Sequence, residues 1–152
     1  MNKAEVKRPL MADSDRELEH YCAHLRGPDM PKLKISGLYD LFPSPKDTVC
    51  EYRWPDDWPF VESPGVYFIF DADMQVLYIG KASMNSWFGN RLHTYFQSGK
   101  DKKCVVQNKD SWQGDPRFVA VIPMDAEYRF EAPALEEYLI TKLKPVDNKV
   151  GT

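Results

Sequence analysis

The stretch that decides the fold runs from Gly65 to Gly80 and reads Gly-Val-Tyr-Phe-Ile-Phe, then Asp-Ala-Asp-Met, then Gln-Val-Leu-Tyr-Ile-Gly. Residues 65–70 and 75–79 are rich in β-branched and aromatic side chains, which are typical of strands. The four residues between them, 71–74, suit a short connection. We therefore predict a β-hairpin over this stretch.

The chain beyond the hairpin contains the patterns of two helices and a third strand. Residues 89–97 predict a helix, and Arg117–Ile122 is an apolar, β-branched run that predicts a strand. A last helix is predicted over 133–144, with one proline in its first turn and another directly after it. Residues 100–116 are polar and are expected to form a loop. The pattern indicates an α+β domain: a small, mainly antiparallel three-stranded sheet flanked by helices.

Residues 1–64 are predicted to be an N-terminal extension of this domain, which itself spans 65–152. Ser14 and Glu17 have the spacing of a capping box, and they open a predicted helix over 14–26. Residues 43–64 contain five prolines and predict an irregular arm. Three aromatic residues of this arm either pack it onto the core or stack on bases: Trp54, Trp58 and Phe60.

Composition limits the classes of function. The chain has 152 residues and a net charge of −3, so any nucleic-acid binding must depend on local charge. Three widely spaced cysteines exclude a disulfide framework and a cysteine zinc site, and they favour a reducing, cytoplasmic compartment. Residues 1–10 lack the apolar segment of a signal peptide, and no apolar run is long enough to predict a membrane span.

Charge is unevenly distributed along the chain. Residues 78–109 contain six Lys or Arg residues and one Asp, a net charge of +5. Such a stretch either attracts phosphate groups or forms a solvated loop. We predict nucleic-acid contacts for its six cations, which are Lys81, Arg91, Lys100, Lys102, Lys103 and Lys109.

Two tyrosines mark the same sequence stretch: Gly65-Val-Tyr67 is followed, after ten residues, by Tyr78-Ile-Gly80. On paired strands they converge on one site. This pattern resembles the GIY-YIG nuclease domain, with Val66 in place of the first Ile, and the resemblance covers residues 65–152. Other polar positions of the family, particularly of the type found in the N-terminal domain of the repair nuclease UvrC, are matched by Lys81, Arg91, Tyr95, Glu136 and Asn148.

The resemblance implies a role for each of these residues. Glu136 would bind Mg²⁺ or Mn²⁺, because a lone carboxylate suits a cation that keeps several waters. Arg91 and Lys81 would hold the phosphate. Either Tyr67 or Tyr78 would activate water, and we favour Tyr78 because it lies nearer to Lys81. In the same way, Tyr95 is expected in the site, on one helix face with Arg91. Asn148 is expected to position either the end of the last helix or the site.

The predicted function is a divalent-metal-dependent DNA endonuclease without an organic cofactor. The alternative is a catalytically inactive DNA-binding or scaffold module of the same fold. A homodimer acting on both strands is compatible with so small a domain, and a repair, restriction or mobile-element role stays open. His93 and Glu137 point away from the predicted site and are expected to be solvated. Trp112, in the polar loop, either touches substrate or covers the core.

Overall fold

The computed structural model describes residues 10–45 and 50–148, and these residues form an α+β fold. The helices are α1 (Met11–His24), α2 (Phe88–His93) and α3 (Glu131–Leu143). The strands are β1 (Tyr39–Asp40), β2 (Tyr52–Arg53), β3 (Gly65–Phe70), β4 (Val76–Ala82), β5 (Phe96–Ser98), β6 (Cys104–Val106) and β7 (Phe118–Pro123). Single 3₁₀ turns span Lys100–Lys102, Lys109–Ser111 and Ala126–Tyr128.

Parts of three predictions lie outside the described residues. They are the absence of a signal peptide at residues 1–9, residues 46–49 of the irregular arm, and the end of the α+β domain at 149–152. A helix that spans a bilayer needs about 20 apolar residues. The described part of the chain contains no helix that meets this requirement.

The predicted hairpin is confirmed. Strands β3 and β4 pair antiparallel, with Gly65 opposite Ala82 and Ile69 opposite Tyr78. The pairing register shifts between Ile69 and Phe70, next to the turn. Strand β7 pairs antiparallel with the other side of β3, so the third predicted strand is confirmed as well.

The main sheet has five strands in the order β2-β1-β7-β3-β4, so the expectation of three strands was wrong. The two additional strands come from the N-terminal residues: β1 pairs antiparallel with β7, and β2 pairs parallel with β1. Each is two residues long, which is too short to show the alternating pattern of a half-buried strand. Strand β4 lies at one end of the sheet.

The sheet is covered on both faces, because alternate side chains of a strand point to opposite sides. Val66, Phe68 and Phe70 of β3 pack with residues of α1 and α3. Tyr67 and Ile69 pack with residues of α2 and of the β5–β6 ribbon. We call these two sides the α3 face and the α2 face.

Helix α1 begins at Met11, three residues before the predicted start. Leu10 forms a bridge with Gln75 of the hairpin, and the Met11 N–H donates to the Met74 carbonyl at 3.0 Å, so the helix starts directly after this attachment. The carboxylate of Asp13, rather than a serine, accepts the Leu10 N–H at 2.8 Å. Ser14 is fully buried inside the helix, so its predicted capping role was wrong.

A buried ion pair fixes the N-terminal extension to α3. The Arg26 guanidinium donates to both carboxylate oxygens of Glu131, at 2.5 and 2.8 Å, and the Tyr21 hydroxyl donates to the same carboxylate at 2.8 Å. Both charged side chains are only 6% exposed. A second contact joins the same two helices: the hydroxyl of Tyr138, two turns after Glu131 on α3, donates at 2.9 Å to Glu17, which lies one turn before Tyr21 on α1. The extension therefore holds the helix that carries Glu136.

Helix α2 ends at His93, four residues before the predicted end. The chain then extends as β5 and pairs with β6, so part of the predicted polar loop is a two-stranded ribbon. The Gln107 N–H donates to the Tyr95 carbonyl at 2.7 Å, which continues the ribbon pairing up to the turn after α2. Pairing with a distant segment thus overrides the helical pattern of residues 94–97.

The proline-rich arm packs onto the α2 face. The Trp58 ring lies 4.4 Å from that of Tyr39 and 6.0 Å from that of Phe96. The Trp54 indole donates to the Lys102 carbonyl at 2.7 Å. Packing is therefore the observed role of both tryptophans, whereas Phe60 is exposed.

Candidate active site

The two glycines of the tyrosine motifs allow close contacts that a side chain would prevent. A Cβ on Gly80 would lie 2.8 Å from Tyr67 Cε1 and closer still to Cζ and Oη. The Tyr67 ring therefore lies directly across the backbone of Gly80. Gly65 has a φ of +148°, and a Cβ there would meet the Phe88 ring at 2.7 Å. Gly80 is therefore required by the Tyr67 side chain, whereas Gly65 is required by its positive φ and by the close approach of the Ile122 carbonyl and the Phe88 ring.

Three tyrosine hydroxyls meet on the α2 face. The hydroxyls of Tyr67 and Tyr95 are 2.8 Å apart, and the Tyr95 hydroxyl donates to that of Tyr78 at 3.4 Å. Tyr95 lies in the turn after α2 rather than on the helix, with its N–H donating to the Leu92 carbonyl at 3.0 Å. The prediction that Tyr95 shares a helix face with Arg91 was therefore wrong, although the turn still brings it to the other tyrosines.

Burial controls the ionisation of the two motif tyrosines. It raises the pKa of Tyr67 and of Tyr78 well above the usual tyrosine range, and the neighbouring Tyr95 raises both further. The Arg91 charge acts in the opposite direction but is outweighed. Both hydroxyls are therefore protonated at neutral pH unless further positive charge is brought to them.

Arg91 on α2 lies within electrostatic reach of the three tyrosines and of Glu136. Its Nε is buried and has no hydrogen-bond partner within the described residues. A buried donor without a partner costs free energy that an accepting ligand recovers. The guanidinium presents a planar, permanently charged fork, which suits phosphate oxygens.

Lys81 and Glu136 meet on the α3 face, with Lys81 Nζ 3.9 Å from Glu136 Oε1. Their side chains are 39% and 22% exposed, so solvent and solutes reach both. Burial raises the pKa of the Glu136 carboxyl, and the charges of Lys81 and Arg91 partly offset this. As expected, the neighbouring Glu137 is exposed, and so is His93.

Glu136 does not belong to a cluster of metal-ligating side chains among the described residues. Residues 10–45 and 50–148 contain no cluster of three or more His, Cys, Asp or Glu side chains that could hold an ion. A single half-buried carboxylate fits Mg²⁺, which keeps several waters and takes phosphate oxygens as further ligands. It does not fit a cation that needs a complete protein cage.

The candidate site is built around the outermost strand β4. Tyr78 points to the α2 face and Lys81 to the α3 face, because they are three residues apart on one strand. The charge of Glu136 nevertheless acts on Tyr78, and that of Arg91 acts on Glu136. Side chains from both faces of the sheet therefore converge where β4 has no neighbouring strand.

Residues after α3 hold β4 and the loop that contains Trp112. The Asn148 side chain accepts the Ile79 N–H at 2.8 Å and donates to the Ile79 carbonyl at 2.9 Å. The Asp147 carboxylate accepts the backbone N–H groups of Gln113 at 2.6 Å and Gly114 at 3.2 Å. Asn148 therefore holds the backbone of β4 at Ile79. Asp147 was not predicted, because no local pattern reveals a contact 33 residues away.

Trp112 packs against two of the three tyrosines, Tyr78 and Tyr95. Its ring centroid is 6.0 Å from that of Tyr78 and 6.1 Å from that of Tyr95, in edge-on geometry. The side chain is half-buried, so it covers part of the site and keeps one side accessible. The two interpretations of this residue are therefore compatible.

The remaining predicted DNA contacts lie on the ribbon and the loop after it. All four side chains are exposed. Three belong to the connection between β5 and β6, and the fourth begins a 3₁₀ turn. They are Lys100, Lys102, Lys103 and Lys109.

Comparison with known proteins identifies the family of the domain. The sequence profile of the UvrC-like GIY-YIG domain matches residues 63–149. The UvrABC system protein C of Geotalea daltonii is 35% identical over 89 residues, which cover 59% of this chain and 13% of that protein. The chain thus corresponds to a small part of that relative's length. No solved structure gives a significant match. With the profile matched over more than half of its length, this chain belongs to the UvrC-like GIY-YIG domain family.

Proposed function

We propose that this protein is a divalent-metal-dependent DNA endonuclease that hydrolyses phosphodiester bonds. Its membership of a nuclease family supports the reaction class. The observation that carries the proposal is the meeting of Arg91, Lys81 and Glu136 around β4, where the Arg91 Nε is buried without a partner. Two cations and one carboxylate beside a group of tyrosines suit a bound phosphate and one metal ion.

Arg91 and Lys81 bind the scissile phosphate in this mechanism. The Arg91 guanidinium donates to two phosphate oxygens, and in doing so it gives its buried Nε an acceptor. Lys81 adds a point charge from the α3 face. The phosphate then replaces the weak contact of 3.9 Å between Lys81 and Glu136, which frees the carboxylate for a cation.

Tyr78 is the proposed base. It is half-buried and therefore reaches the phosphate, whereas Tyr67 is fully buried. In the ionised form of Tyr78, the water oxygen forms a bond to phosphorus, the bond from phosphorus to the leaving oxygen breaks, the water proton passes to the Tyr78 oxygen, and the leaving oxygen takes a proton from solvent. Tyr95 donates to Tyr78 and positions its hydroxyl, and Tyr67 orients Tyr95. Because Tyr95 also raises the pKa of Tyr78, ionisation of Tyr78 depends on positive charge brought by a bound cation.

Glu136 is the proposed metal ligand, with Mg²⁺ or Mn²⁺ as the cation. When bound, the ion would neutralise charge on the phosphate and assist the leaving oxygen. Positive charge at this place also favours ionisation of Tyr78, whose pKa already responds to the charge of Glu136. Asn148 keeps the nearby backbone of β4 in place.

The exposed lysines around the β5–β6 ribbon are proposed to follow the DNA backbone. Each phosphate contact that is lost reduces the slope of log affinity against log salt by about 0.9 for duplex DNA. We expect the triple substitution of Lys100, Lys102 and Lys103 by alanine to weaken binding of unrelated DNA sequences equally. An unchanged slope in a salt titration would show that these lysines are solvated and do not contact the DNA backbone.

We further propose that double-strand cleavage requires a homodimer, because one compact site cuts one strand at a time. Light scattering during size-exclusion chromatography, with and without duplex DNA, measures the mass. A monomer in both conditions that still makes double-strand breaks contradicts this.

Supercoiled plasmid incubated with Mg²⁺ tests the nuclease proposal directly. We expect nicked or linear product with the wild-type protein, none in EDTA, and none with Glu136→Ala. Glu137→Ala is the matched control: it removes the adjacent, exposed carboxylate and should cleave normally. Full activity of Glu136→Ala contradicts the assigned ligand. A wild-type protein that shifts DNA in a gel but never cuts it supports the inactive binding module instead.

A further inference from the structure

Two large apolar side chains stand in solvent near the end of β4 and the start of α3. Met84, in the loop after β4, is 78% exposed, and Phe130, which precedes α3, is 67% exposed. Trp87, three residues beyond Met84, is also exposed. Scattered apolar residues on a surface are ordinary, but a group of large ones around a concave surface marks a binding site.

A groove of about 440 Å³ separates these two segments. We call it the Met84–Phe130 groove. Besides these two residues, Ser83 and Pro133 line it, together with Glu127 and Arg129 as its only charged members among the described residues. One acid and one base leave the groove without net charge. Such a surface suits an uncharged, flat, apolar group better than a phosphate.

Both walls of the groove are close along the chain to residues of the candidate active site. Lys81 precedes Ser83 by two residues on one wall, and Pro133 precedes Glu136 by three residues, one helical turn, on the other. The two walls approach each other at the contact between Lys81 and Glu136. One turn of α3 is about 5.4 Å, and successive phosphates of a stacked strand rise about 3.4 Å each. A strand held at the site therefore has its next one or two nucleotides beside the groove.

We propose that the Met84–Phe130 groove binds an unstacked nucleobase adjacent to the scissile phosphate. The exposed Phe130 ring and the Arg129 guanidinium provide the planar surfaces on which bases stack. Met84 is an apolar wedge of the kind that separates neighbouring bases. Stacking tolerates every base, so the groove selects nucleotides that leave the stack rather than a sequence. This inference rests on the proposed nuclease function, because the site supplies the strand.

Two oligonucleotides of eight nucleotides test the proposal: octathymidylate, and the same sugar-phosphate chain without bases. Both carry the same charge, so the ratio of their affinities isolates base contacts. Fluorescence anisotropy in EDTA measures binding without cleavage. Phe130→Ala is the test variant. Phe42→Ala is the matched control, because Phe42 is an exposed phenylalanine beside the hairpin turn, at the opposite end of the sheet.

We expect the preference of the wild-type protein for the base-bearing strand to fall about 5-fold to 150-fold in Phe130→Ala and to persist in Phe42→Ala. Urea unfolding should be unchanged in both variants, since both side chains are exposed. An unchanged ratio in Phe130→Ala overturns the proposal. Altered self-association with an unchanged ratio overturns it too and assigns the groove to a protein partner.

The plasmid assay separates this failure from that of the nuclease function. If the wild type cuts plasmid but Phe130→Ala leaves the ratio of the two affinities unchanged, the nuclease proposal stands and the base-binding role of the groove is rejected. If Phe130→Ala lowers the ratio of the two affinities but the wild type cuts no DNA, the base-binding role of the groove stands and the nuclease proposal is rejected. If the wild type neither prefers the base-bearing strand nor cuts plasmid, both proposals are rejected.

Discussion

Replacing Gly80 by alanine tests whether the contact between its backbone and Tyr67 builds the site. The added Cβ would lie 2.8 Å from Tyr67 Cε1, and real Cβ atoms essentially never come closer than 3.0 Å to a neighbour. Tyr67 is 0% exposed and has no space to retreat. Overpacking of this kind costs about 1–3 kcal/mol. Alanine otherwise gains about 0.5–1 kcal/mol over glycine within a strand. The midpoints of these two ranges give a net loss of about 1 kcal/mol.

Urea unfolding of Gly80→Ala measures this loss. Gly27→Ala is the control, because a Cβ at Gly27 meets no atom within 4 Å, and its stability should equal or exceed that of the wild type. Plasmid cleavage gives a second measurement. Because the Tyr67 hydroxyl contacts that of Tyr95, a displacement of about 1 Å should reduce cleavage on the order of 100-fold.

The background of Tyr67→Leu identifies the cause of the loss. Leucine keeps apolar volume but lacks the Cζ and Oη atoms that the new Cβ would meet. Gly80→Ala should therefore cost nothing further in that background. The reasoning is refuted if Gly80→Ala is as stable as the wild type, or if it costs the same with leucine at position 67.

Three further predictions concern the candidate site, the ion pair between Arg26 and Glu131, and the core. Arg91→Lys should lower kcat on the order of 100-fold with little change in DNA affinity, because lysine lacks the planar fork; wild-type kinetics in single-turnover cleavage would contradict this. Arg26→Met leaves Glu131 buried without its partner and should cost about 3–5 kcal/mol in urea unfolding. Adding Glu131→Gln should recover part of that loss, and no recovery would argue against the ion pair as its cause. Burial raises the pKa of Cys104 from 9.0 to about 12. Between these two pH values only the thiol of the unfolded chain ionises, which stabilises the unfolded state. The wild type should therefore lose stability relative to Cys104→Ala as the pH rises. That relative loss should reach roughly 1.4 kcal/mol at pH 10 compared with pH 8 under reducing conditions, and an equal difference at both pH values would disprove it.

The central hairpin, β7 and α3 could be predicted because each has a strong local pattern of its own. Strands β1 and β2 could not, since two residues carry no periodicity and both depend on pairing with distant partners. The end of α2 was misplaced for a related reason. Residues 94–97 fit a helix, and only the pairing of β5 with β6 makes them extend.

Residue types and spacing predicted which side chains the candidate site contains, but not how they meet. The spacing of Tyr67 and Tyr78 predicts neighbouring strands, and the register confirms this. Lys81 and Glu136 meet on the α3 face, on the other side of the sheet from the tyrosines. Their contact depends on how α3 packs against the sheet. That packing relies on the bond between Arg26 and Glu131, which are separated by 105 residues and give no local signal.

The amide of Asn148 has a consequence for solubility. Strand β4 is the last strand of its sheet, and Asn148 bonds both the N–H and the carbonyl of Ile79, as an additional strand would do. An outer strand with unpaired backbone groups is a template for aggregation with other chains. Removing this side chain would open that template beside the candidate active site. We therefore expect Asn148 to act as a gatekeeper against intermolecular β-pairing, so that a single amide protects both the geometry of the site and the dispersed state of the protein.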